Sequence, residues 1–354
     1  MVLTGLGSMV NNTQIPEFDG ALPFLSIVVP FRNEAKNLPT LLKSITSGVY
    51  PSDKYEIILV NDYSSDLWNE ALSNCSSVTF NVVQSVGGGK KQAILAGVEI
   101  AKGEYVVTTD ADCIFPSNWL LNMAGIIQKE SPDLIIGLVK LTSNGSFFQD
   151  FQYIDHLSLQ LSTAGMALNN RPIMCSGANL AFKKQFYYCI KDELKTNYLS
   201  GDDMFLLHEA IKQKKSIQLL NNPESVVLTE SEQTFKTLLN QRIRWASKSK
   251  GYSNLTTIGT AIIVLLANIS LVFLFVSGLW SLNLLGLWGG CMILKMYIEW
   301  RMFNVGQAVI PFPKNKLRFV LVELIHPIFI VGIAFTGFLF NVGWKGRKVH
   351  GSLC

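Results

Sequence analysis

The chain has 354 residues, which is long enough for a sizeable core and for more than one structural unit. Hydrophobic residues make up 49% and charged residues only 16%, below the usual charged share of about a quarter, so part of the chain must be almost free of charge. The net charge of +4 is too small to indicate a nucleic-acid-binding protein.

Cysteine spacing and the N-terminus narrow the class of protein further. The six cysteines form no CxxC pair and no other metal-ligand spacing, so we expect reduced, structural thiols. The opening residues "MVLTGLGSMV" lack the basic region and the long apolar run of a signal peptide. We therefore expect about the first 250 residues to stay in the cytosol.

Short apolar segments alternate with amphipathic segments from residue 24 onward. We predict strands over residues 24–30, 55–62, 78–85 and 104–112, and helices over residues 37–47 and 91–103, the second closed by Gly103 as its C-cap. This alternation predicts an open, mostly parallel α/β sheet. Ligands bind beyond the carboxyl ends of such strands, which is where Asp62, Asp110 and Asp112 lie.

The segment "VVTTDADCIF" places Asp110 and Asp112 one residue apart after a buried strand. Mg²⁺ is characteristically bound by one or two carboxylates together with substrate phosphates, so the pair indicates a metal and nucleotide-diphosphate site. Aspartate is also common in ordinary turns. Asp62 also has a functional and a structural interpretation. It could contact a base or ribose, or it could cap a turn within "NDYSSD".

Two further segments place charged residues at predicted helix starts. In "SVGGGKKQAILAG", three glycines precede Lys90 and Lys91, which suits either an anion site or a flexible loop. It is not a P-loop, because Lys91 stands where Ser or Thr is required. In "SGDDMFLLHEAI", Asp202 and Asp203 either stabilise the helix start or provide a catalytic base whose proton affinity is raised by the adjacent carboxylate.

Two amphipathic helices have apolar or aromatic faces that could meet a membrane. Residues 147–161 carry apolar side chains at helical spacing, which fits either core packing or a helix on a membrane surface. "LLNQRIRWASKSKGY" places Gln241, Arg244 and Trp245 just before a long apolar segment. They form either an interfacial anchor or a phosphate-binding guanidinium beside a stacking indole.

The charge-poor part of the chain is its C-terminal third. Residues 255–280 contain no charged residue, and since about 20 apolar residues span a bilayer, they predict a membrane helix. Residues 281–299 and 317–340 are weaker candidates because they carry Lys295, Glu299, Arg318, Glu323 and His326. Three spans would place the tail at 342–354 outside, against the positive-inside tendency. We therefore expect a basic cytosolic tail.

Six segments occur in the order typical of one enzyme family: "VPFRNEAKNL", "ILVNDYSSD", "GGGKKQAILAGVEIAKGEYVVTTDAD", "CSGANLAFKK", "GDD" and "QRIRW". On these segments, residues 25–252 resemble family 2 glycosyltransferases of the GT-A fold, a Rossmann-like α/β fold. The resemblance is to the membrane-bound group that includes cellulose, hyaluronan and poly-N-acetylglucosamine synthases and ceramide glucosyltransferases.

The resemblance implies roles for individual residues. It assigns Asp203 as the catalytic base. It assigns donor binding to Pro30, Arg32, Asn33, Glu34, Asp62, Lys90, Asp110, Asp112 and Arg244, with Asp112 and Asp110 as ligands of Mg²⁺ or Mn²⁺. It assigns the acceptor side to Gly177, Ala178, Asn179, Asp202, Gln241 and Trp245. Arg32 replaces a more typical aromatic residue, and Asp202 replaces a common glutamate.

The resemblance also implies a domain order. We expect an N-terminal extension at 1–23, a GT-A domain at 24–252 with interfacial helices near 147–161 and 234–250, a membrane region at 253–341 and a basic tail at 342–354. The expected setting is a bacterial cytoplasmic membrane with the catalytic domain in the cytosol.

The implied reaction is inverting, metal-dependent transfer from a nucleotide-diphosphate sugar, expected to be a UDP-sugar, to a hydroxyl of a membrane-associated acceptor. It would form a β-linkage in a glycolipid or an envelope polysaccharide. The expected partners are this donor, a lipid-linked or saccharide acceptor and the bilayer, but no nucleic acid. Alternatives are a processive polysaccharide synthase, a nucleotidyltransferase and a non-catalytic nucleotide-sugar-binding protein.

Overall fold

A computed structural model describes residues 1–9, 20–194, 201–312 and 315–339. The chain forms two compact units. The sheet unit comprises Asn11–Lys140 and Met174–Glu230, and the helical unit comprises Met1–Val10, Leu141–Ile173 and Ser231–Cys354. The units therefore alternate along the chain, and the segments expected as interfacial helices cluster with the C-terminal helices. The expected domain order remains a prediction.

The strands within the described residues are short. They are β1 (Leu25–Phe31), β2 (Tyr55–Asn61), β3 (Asn81–Gln84), β4 (Tyr105–Thr108), β5 (Cys113–Ile114), β6 (Leu134–Gly137), β7 (Val139–Leu141), β8 (Leu180–Lys183), β9 (Ile217–Leu220) and β10 (Val227–Thr229).

The helices range from one and a half turns to seven turns. They are α1 (Val2–Met9), α2 (Leu38–Thr46), α3 (Trp68–Ser73), α4 (Lys90–Ile100), α5 (Trp119–Glu130), α6 (Phe147–Ala167), α7 (Lys184–Ile190), α8 (Asp202–Lys212), α9 (Phe235–Ser247), α10 (Leu255–Gly278), α11 (Leu282–Gly306) and α12 (Lys316–Leu339).

The main sheet has the strand order β3-β2-β1-β4-β8-β6-β9. β1 pairs in parallel with β2 and β4, β2 with β3, and β6 with β9. β8 runs antiparallel to both of its neighbours, β4 and β6. The predicted mostly parallel α/β sheet is confirmed, with β8 as its reversed strand.

The central strands are hydrophobic because helices cover both faces of the sheet. Every residue of β1 and β4 is buried, whereas β3 lies at the edge and is largely exposed. β1, β2 and β4 end at Phe31, Asn61 and Thr108. The polar residues that follow these ends therefore lie along one edge of the sheet.

Two boundaries differ from those expected. β4 ends at Thr108, so Asp110 and Asp112 lie in a turn, which the Cys113 N–H closes by donating to the Asp110 carbonyl at 3.2 Å. The prediction of Gly103 as the C-cap of α4 is wrong. The helix ends at Ile100 with Ala101 as C-cap, and the Gly103 N–H donates to Ser26 Oγ at 2.8 Å.

α6 is the central helix of the helical unit. It packs against α1, α11 and α12, and its apolar residues Phe151, Ile154, Leu157 and Leu161 are all buried. Of the two interpretations of residues 147–161, packing between helices accounts for their apolar face.

Two helices among the described residues are long and apolar enough to cross a membrane, namely Leu255–Gly278 and Lys316–Gly337. α10 leaves bulky side chains such as Ile263, Leu266 and Phe273 exposed, as expected of a lipid-facing helix. The expected span at 281–299 lies in α11, which carries Lys295, Glu299 and Arg301 and does not meet the same criterion. Residue 340 and the tail at 342–354 lie outside the described residues.

Candidate active site

Two glycines position the charged residues at the starts of α4 and α8. Gly89 precedes α4 with φ of +107°, and Gly201 precedes α8 with φ of +103°. L-residues with side chains rarely adopt these conformations. Each glycine lets the chain turn sharply into its helix, so Lys90 begins α4 and Asp202 and Asp203 begin α8.

Lys90, Asp110 and Asp203 meet around Gly177. The Lys90 ammonium forms a salt bridge with Asp110, and the Gly177 N–H donates to Asp203 Oδ2 at 3.2 Å. A methyl group added to Gly177 would lie 3.3 Å from Lys90 Nζ and 3.7 Å from Asp203 Cβ. The structure thus brings together four residues that are separated by up to about a hundred positions in the sequence and that were each expected to belong to the site.

The charges in this cluster interact strongly. Burial by itself would lower the pKa of Lys90, but Asp110, Asp202 and Asp203 raise it above its ordinary value. Burial raises the pKa of Asp202, as does the Asp203 charge, while Lys90 and Lys91 oppose this. Asp202 is buried and Asp203 is partly exposed. Asp203 is therefore the member of the pair that a ligand can reach.

Asp112 carries negative charge in a mostly buried position. Burial, followed by the charges of Asp110 and Glu34, raises the pKa of Asp112 to about 6. Thr229 Oγ1, which sequence reasoning did not identify, donates to Asp112 Oδ2 at 3.2 Å. A Mg²⁺ or Mn²⁺ ion fits this set of oxygen donors, because a cation would offset the repulsion among the three carboxylates.

The carboxylates do not form a complete metal cage. Among the residues that the structure describes, no group of three or more His, Cys, Asp or Glu side chains is arranged to hold a metal ion. Asp110 is paired with Lys90 and its side chain is 42% exposed. An ion here would therefore take further ligands from water or from a phosphate, as Mg²⁺ commonly does.

Asp62 and Arg32 organise the loop before α4. Asp62 is 1% exposed, and its Oδ1 accepts a 2.9 Å hydrogen bond from the Gly89 N–H. Arg32 Nη1 donates to the Asp62 carbonyl at 3.1 Å. Pro30 is a buried residue of β1, and Glu34 Oε2 accepts a hydrogen bond from Asn37 Nδ2 at 2.6 Å. The first and second predicted donor-binding segments are thus joined by hydrogen bonds.

Asn179 has a different environment from the one expected for an acceptor-binding residue. Its side chain is 0% exposed. Asn179 Oδ1 accepts from Trp119 Nε1 at 2.9 Å, and Nδ2 donates to the carbonyls of Leu138 and Ser225 at 2.9 and 3.0 Å. These hydrogen bonds fix the turn that carries Gly177 and Ala178, and the acceptor-side role expected for Asn179 remains a prediction.

Gln241, Arg244 and Trp245 lie on α9 in the helical unit and are partly buried. Gln241 Nε2 donates to Glu232 Oε1 at 2.9 Å. The intervening Arg242, which sequence reasoning passed over, is buried and stacks on Trp245 with its Cζ 4.3 Å from the ring centroid. The available signal was its spacing of four residues from Leu238, which places both side chains on one face of α9. The roles expected for Arg244 and Trp245 remain predictions.

Comparison with known proteins gives one family match. Residues 26–190 match the model described as glycosyl transferase family 2. This segment contains the β1, β2 and β4 strand ends, Lys90, the Asp110–Asp112 turn and Gly177.

Curated relatives match over part of their length. The glycosyltransferase AglE of Haloferax volcanii is 32% identical over 124 residues, which are 34% of this chain and 41% of AglE. An undecaprenyl-phosphate 4-deoxy-4-formamido-L-arabinose transferase of Aeromonas hydrophila is 36% identical over 29% of this chain and 31% of its own. A beta-monoglucosyldiacylglycerol synthase of Trichormus variabilis is 30% identical over 32% of this chain and 25% of its own. The chain thus spans less than half the length of each.

A solved structure with a similar fold is the mannosyltransferase PcManGT from Pyrobaculum calidifontis, in complex with GDP-Man and Mn²⁺. The TM-score is 0.54 with 16% sequence identity, over 93% of this chain and 95% of that one. At this identity the likeness concerns the fold. Together with the observed sheet, it confirms the expected GT-A-like architecture.

Proposed function

We propose that this chain, whose residues 26–190 match the glycosyl transferase family 2 model, transfers a sugar from a nucleotide-diphosphate sugar to a hydroxyl of a membrane-associated lipid. The observation that carries the proposal is the convergence of Lys90, Asp110 and Asp203 around Gly177. This arrangement provides an ammonium group that can bind a diphosphate and, beside it, a carboxylate that can accept a proton.

The donor side would be formed by the edge of the sheet and the start of α4. Lys90 stands at a helix N-terminus, where backbone N–H groups and the helix dipole favour anions. A bound diphosphate would compete with Asp110 for the Lys90 ammonium. The buried Asp62 carboxylate holds the glycine loop through Gly89 and so shapes the entrance to this anion site.

Asp112, with Asp110, would hold the divalent cation. When bound, Mg²⁺ or Mn²⁺ supplies Lewis-acid stabilisation of the diphosphate leaving group. Burial, followed by the charges of Asp110 and Glu34, raises the pKa of Asp112, and these neighbouring carboxylates support a cation at this place. The similar PcManGT structure was solved in complex with GDP-Man and Mn²⁺.

Asp203 would act as the general base. Its carboxylate is oriented by the N–H groups of Gly177 and Met204, at 3.2 and 2.8 Å. In the step that we propose, the acceptor oxygen attacks the anomeric carbon and its proton passes to Asp203. The bond from that carbon to the diphosphate oxygen breaks, and the nucleoside diphosphate leaves. A single displacement inverts the anomeric configuration, so an α-linked donor gives a β-linked product.

The names of the relatives point to two lipid chemistries, undecaprenyl phosphate and glucosylated diacylglycerol. A hydroxyl acceptor must lose a proton as it attacks, whereas a lipid phosphate is already ionised at neutral pH. A carboxylate in the position of Asp203 can accept the proton that a hydroxyl acceptor loses. This favours a neutral lipid hydroxyl over a lipid phosphate as the acceptor.

The helices α10 and α12 would keep the catalytic unit at the membrane where such an acceptor lies. The orientation with the catalytic unit in the cytosol is part of the same proposal and rests on the basic residues that flank the apolar helices. We propose single transfer to a membrane lipid, and processive synthesis, in which a growing polymer passes through a channel lined by several membrane helices, is the alternative.

The proposal is tested with purified protein in nanodiscs and with Mg²⁺ or Mn²⁺. UDP-glucose, UDP-N-acetylglucosamine and GDP-mannose are offered in turn, each with dioleoylglycerol or undecaprenyl phosphate. Released nucleoside diphosphate and the mass of the lipid product are measured. We expect transfer to dioleoylglycerol from one of these donors. Release of pyrophosphate would instead indicate a nucleotidyltransferase, and donor binding without any release would indicate a non-catalytic binding protein.

A further inference from the structure

A buried ion pair in the helical unit joins the QRIRW segment, residues 241–245, to α6. Arg242 on α9 and Asp155 on α6 are 5% and 3% exposed, and Arg242 Nη2 lies 2.7 Å from Asp155 Oδ2. Two buried charges cost desolvation energy that hydrophobic residues of similar size would avoid. A pair in this position therefore calls for an explanation beyond stability.

Arg242 makes two further contacts, and both are to its own segment. Its Nη1 donates to Gln241 Oε1 at 3.1 Å, and its guanidinium lies over the Trp245 ring with Cζ 4.3 Å from the centroid. A planar guanidinium can donate along its edges while it stacks through its face, which an ammonium cannot do. Arg242 thus connects Gln241, Trp245 and α6 through one side chain.

Asp155 is fixed in turn by the last helix. Its Oδ1 lies 3.1 Å from His326 Nε2 on α12. Burial would raise the pKa of Asp155, but Arg242 and His326 hold it well below its usual range. The Asp155 carboxylate therefore keeps its charge opposite Arg242, and the orientation of the guanidinium is determined by two neighbouring helices.

We propose that Arg242 and Asp155 are positioning residues that fix the Trp245 ring for contact with the acceptor. The link to the acceptor rests on the proposed function, but the positioning itself does not. The sequence resemblance assigns roles to Gln241, Arg244 and Trp245 and none to Arg242. In the structure, however, Arg242 contacts both Gln241 and Trp245.

General stabilisation of helix packing is the competing explanation, and the chain offers a matched control for it. Arg318 on α12 forms a salt bridge with Asp150 on α6, so it joins two helices of the same cluster. Arg318→Gln would weaken the same packing without touching Trp245. Arg242→Lys keeps a positive charge opposite Asp155 but loses the stacking face, and Asp155→Asn keeps the shape but loses the charge.

The first readout is spectroscopic and needs no acceptor. The seven tryptophans are replaced with 5-fluorotryptophan, and the Trp245 resonance is assigned by its absence in Trp245→Phe. We expect Arg242→Lys and Asp155→Asn to shift or broaden this ¹⁹F signal, and Arg318→Gln to leave it unchanged. An unchanged signal in Arg242→Lys, or an equal shift in Arg318→Gln, would overturn the positioning role.

The second readout is kinetic, with dioleoylglycerol as the acceptor probe. Arg242→Lys is expected to raise the acceptor KM about tenfold, whereas the control Arg318→Gln is expected to leave this KM unchanged. In a Trp245→Ala background Arg242→Lys should have no further effect on KM, because the two residues act through one contact. Additive effects would contradict this. Absence of all transfer in the wild type would refute the proposed function, and the ¹⁹F result would still decide on the positioning.

Discussion

The Lys90 ammonium forms a salt bridge with Asp110 at the end of the sheet. Beside this pair, the Gly177 N–H donates a hydrogen bond to the Asp203 carboxylate. This relationship places the expected diphosphate-binding cation, one carboxylate of the metal-binding pair and the expected base in one small region. The chemistry proposed for the chain depends on these residues lying together.

Lys90→Met is expected to weaken binding of the nucleoside diphosphate about 10- to 100-fold, because a hydrogen bond to a charged group contributes roughly 1.5–3 kcal/mol. The measurement is titration calorimetry with UDP and GDP in the presence of Mn²⁺. Lys43→Met, which changes an exposed lysine on α2, is the control. Equal affinity in wild type and Lys90→Met would place the diphosphate elsewhere.

Asp112 makes the stability of the metal-free protein depend on pH. Since its pKa is raised to about 6, the folded state binds this proton more tightly than the unfolded state does. The stabilising contribution is complete below the ordinary pKa of about 3.8 and is lost as pH rises through 6. In EDTA, the wild-type Tm should therefore decline from pH 5 to pH 7.

The matched comparison is Asp112→Asn, whose Tm should decline less over the same interval. Mn²⁺ should raise the wild-type Tm at pH 7 and should have a smaller effect on Asp112→Asn, since the ion replaces the proton as the neutralising charge. Identical pH profiles of the two proteins in EDTA would show that Asp112 has no unusual proton affinity.

Asn179→Ala is expected to destabilise the protein by about 2–5 kcal/mol, because it leaves the Trp119 indole N–H and two buried carbonyls without their partner. Thermal unfolding of the purified protein measures this effect. Asn81→Ala on the exposed edge strand β3 serves as the control. A variant that keeps its Tm but loses acceptor binding would contradict the structural role and support the acceptor contact expected from the sequence.

Much of the sheet unit was predictable from the sequence because its signals are local. Apolar runs such as "IILV" form buried strands, and a glycine before a charged residue begins both α4 and α8. Asp62 and Asp110 were therefore placed correctly near the carboxyl ends of strands. The β4 boundary was predicted several residues too late, since the two threonines before Asp110 continue the strand pattern although the strand ends at Thr108.

Features that depend on distant contacts were missed. The antiparallel direction of β8 and the three partners of Asn179 arise from chain segments far apart in sequence. The pairing of Asp155 with Arg242 likewise joins two helices separated by the Gly177 turn and α8. The local sequence pattern identifies Asp155 only as one polar residue in an amphipathic helix. Its pairing with Arg242 depends on the packing of α6 against α9, which the sequence pattern does not show.

The central claim, that Asp203 accepts the proton of an attacking lipid hydroxyl, is tested most directly by transfer kinetics of Asp203→Asn. With dioleoylglycerol as acceptor, the account predicts a loss of kcat of at least about 10²-fold, with unchanged affinity for the nucleotide donor. The asparagine retains an oxygen that can accept the Gly177 hydrogen bond. Turnover by Asp203→Asn equal to that of the wild type would contradict the assignment of Asp203 as the base.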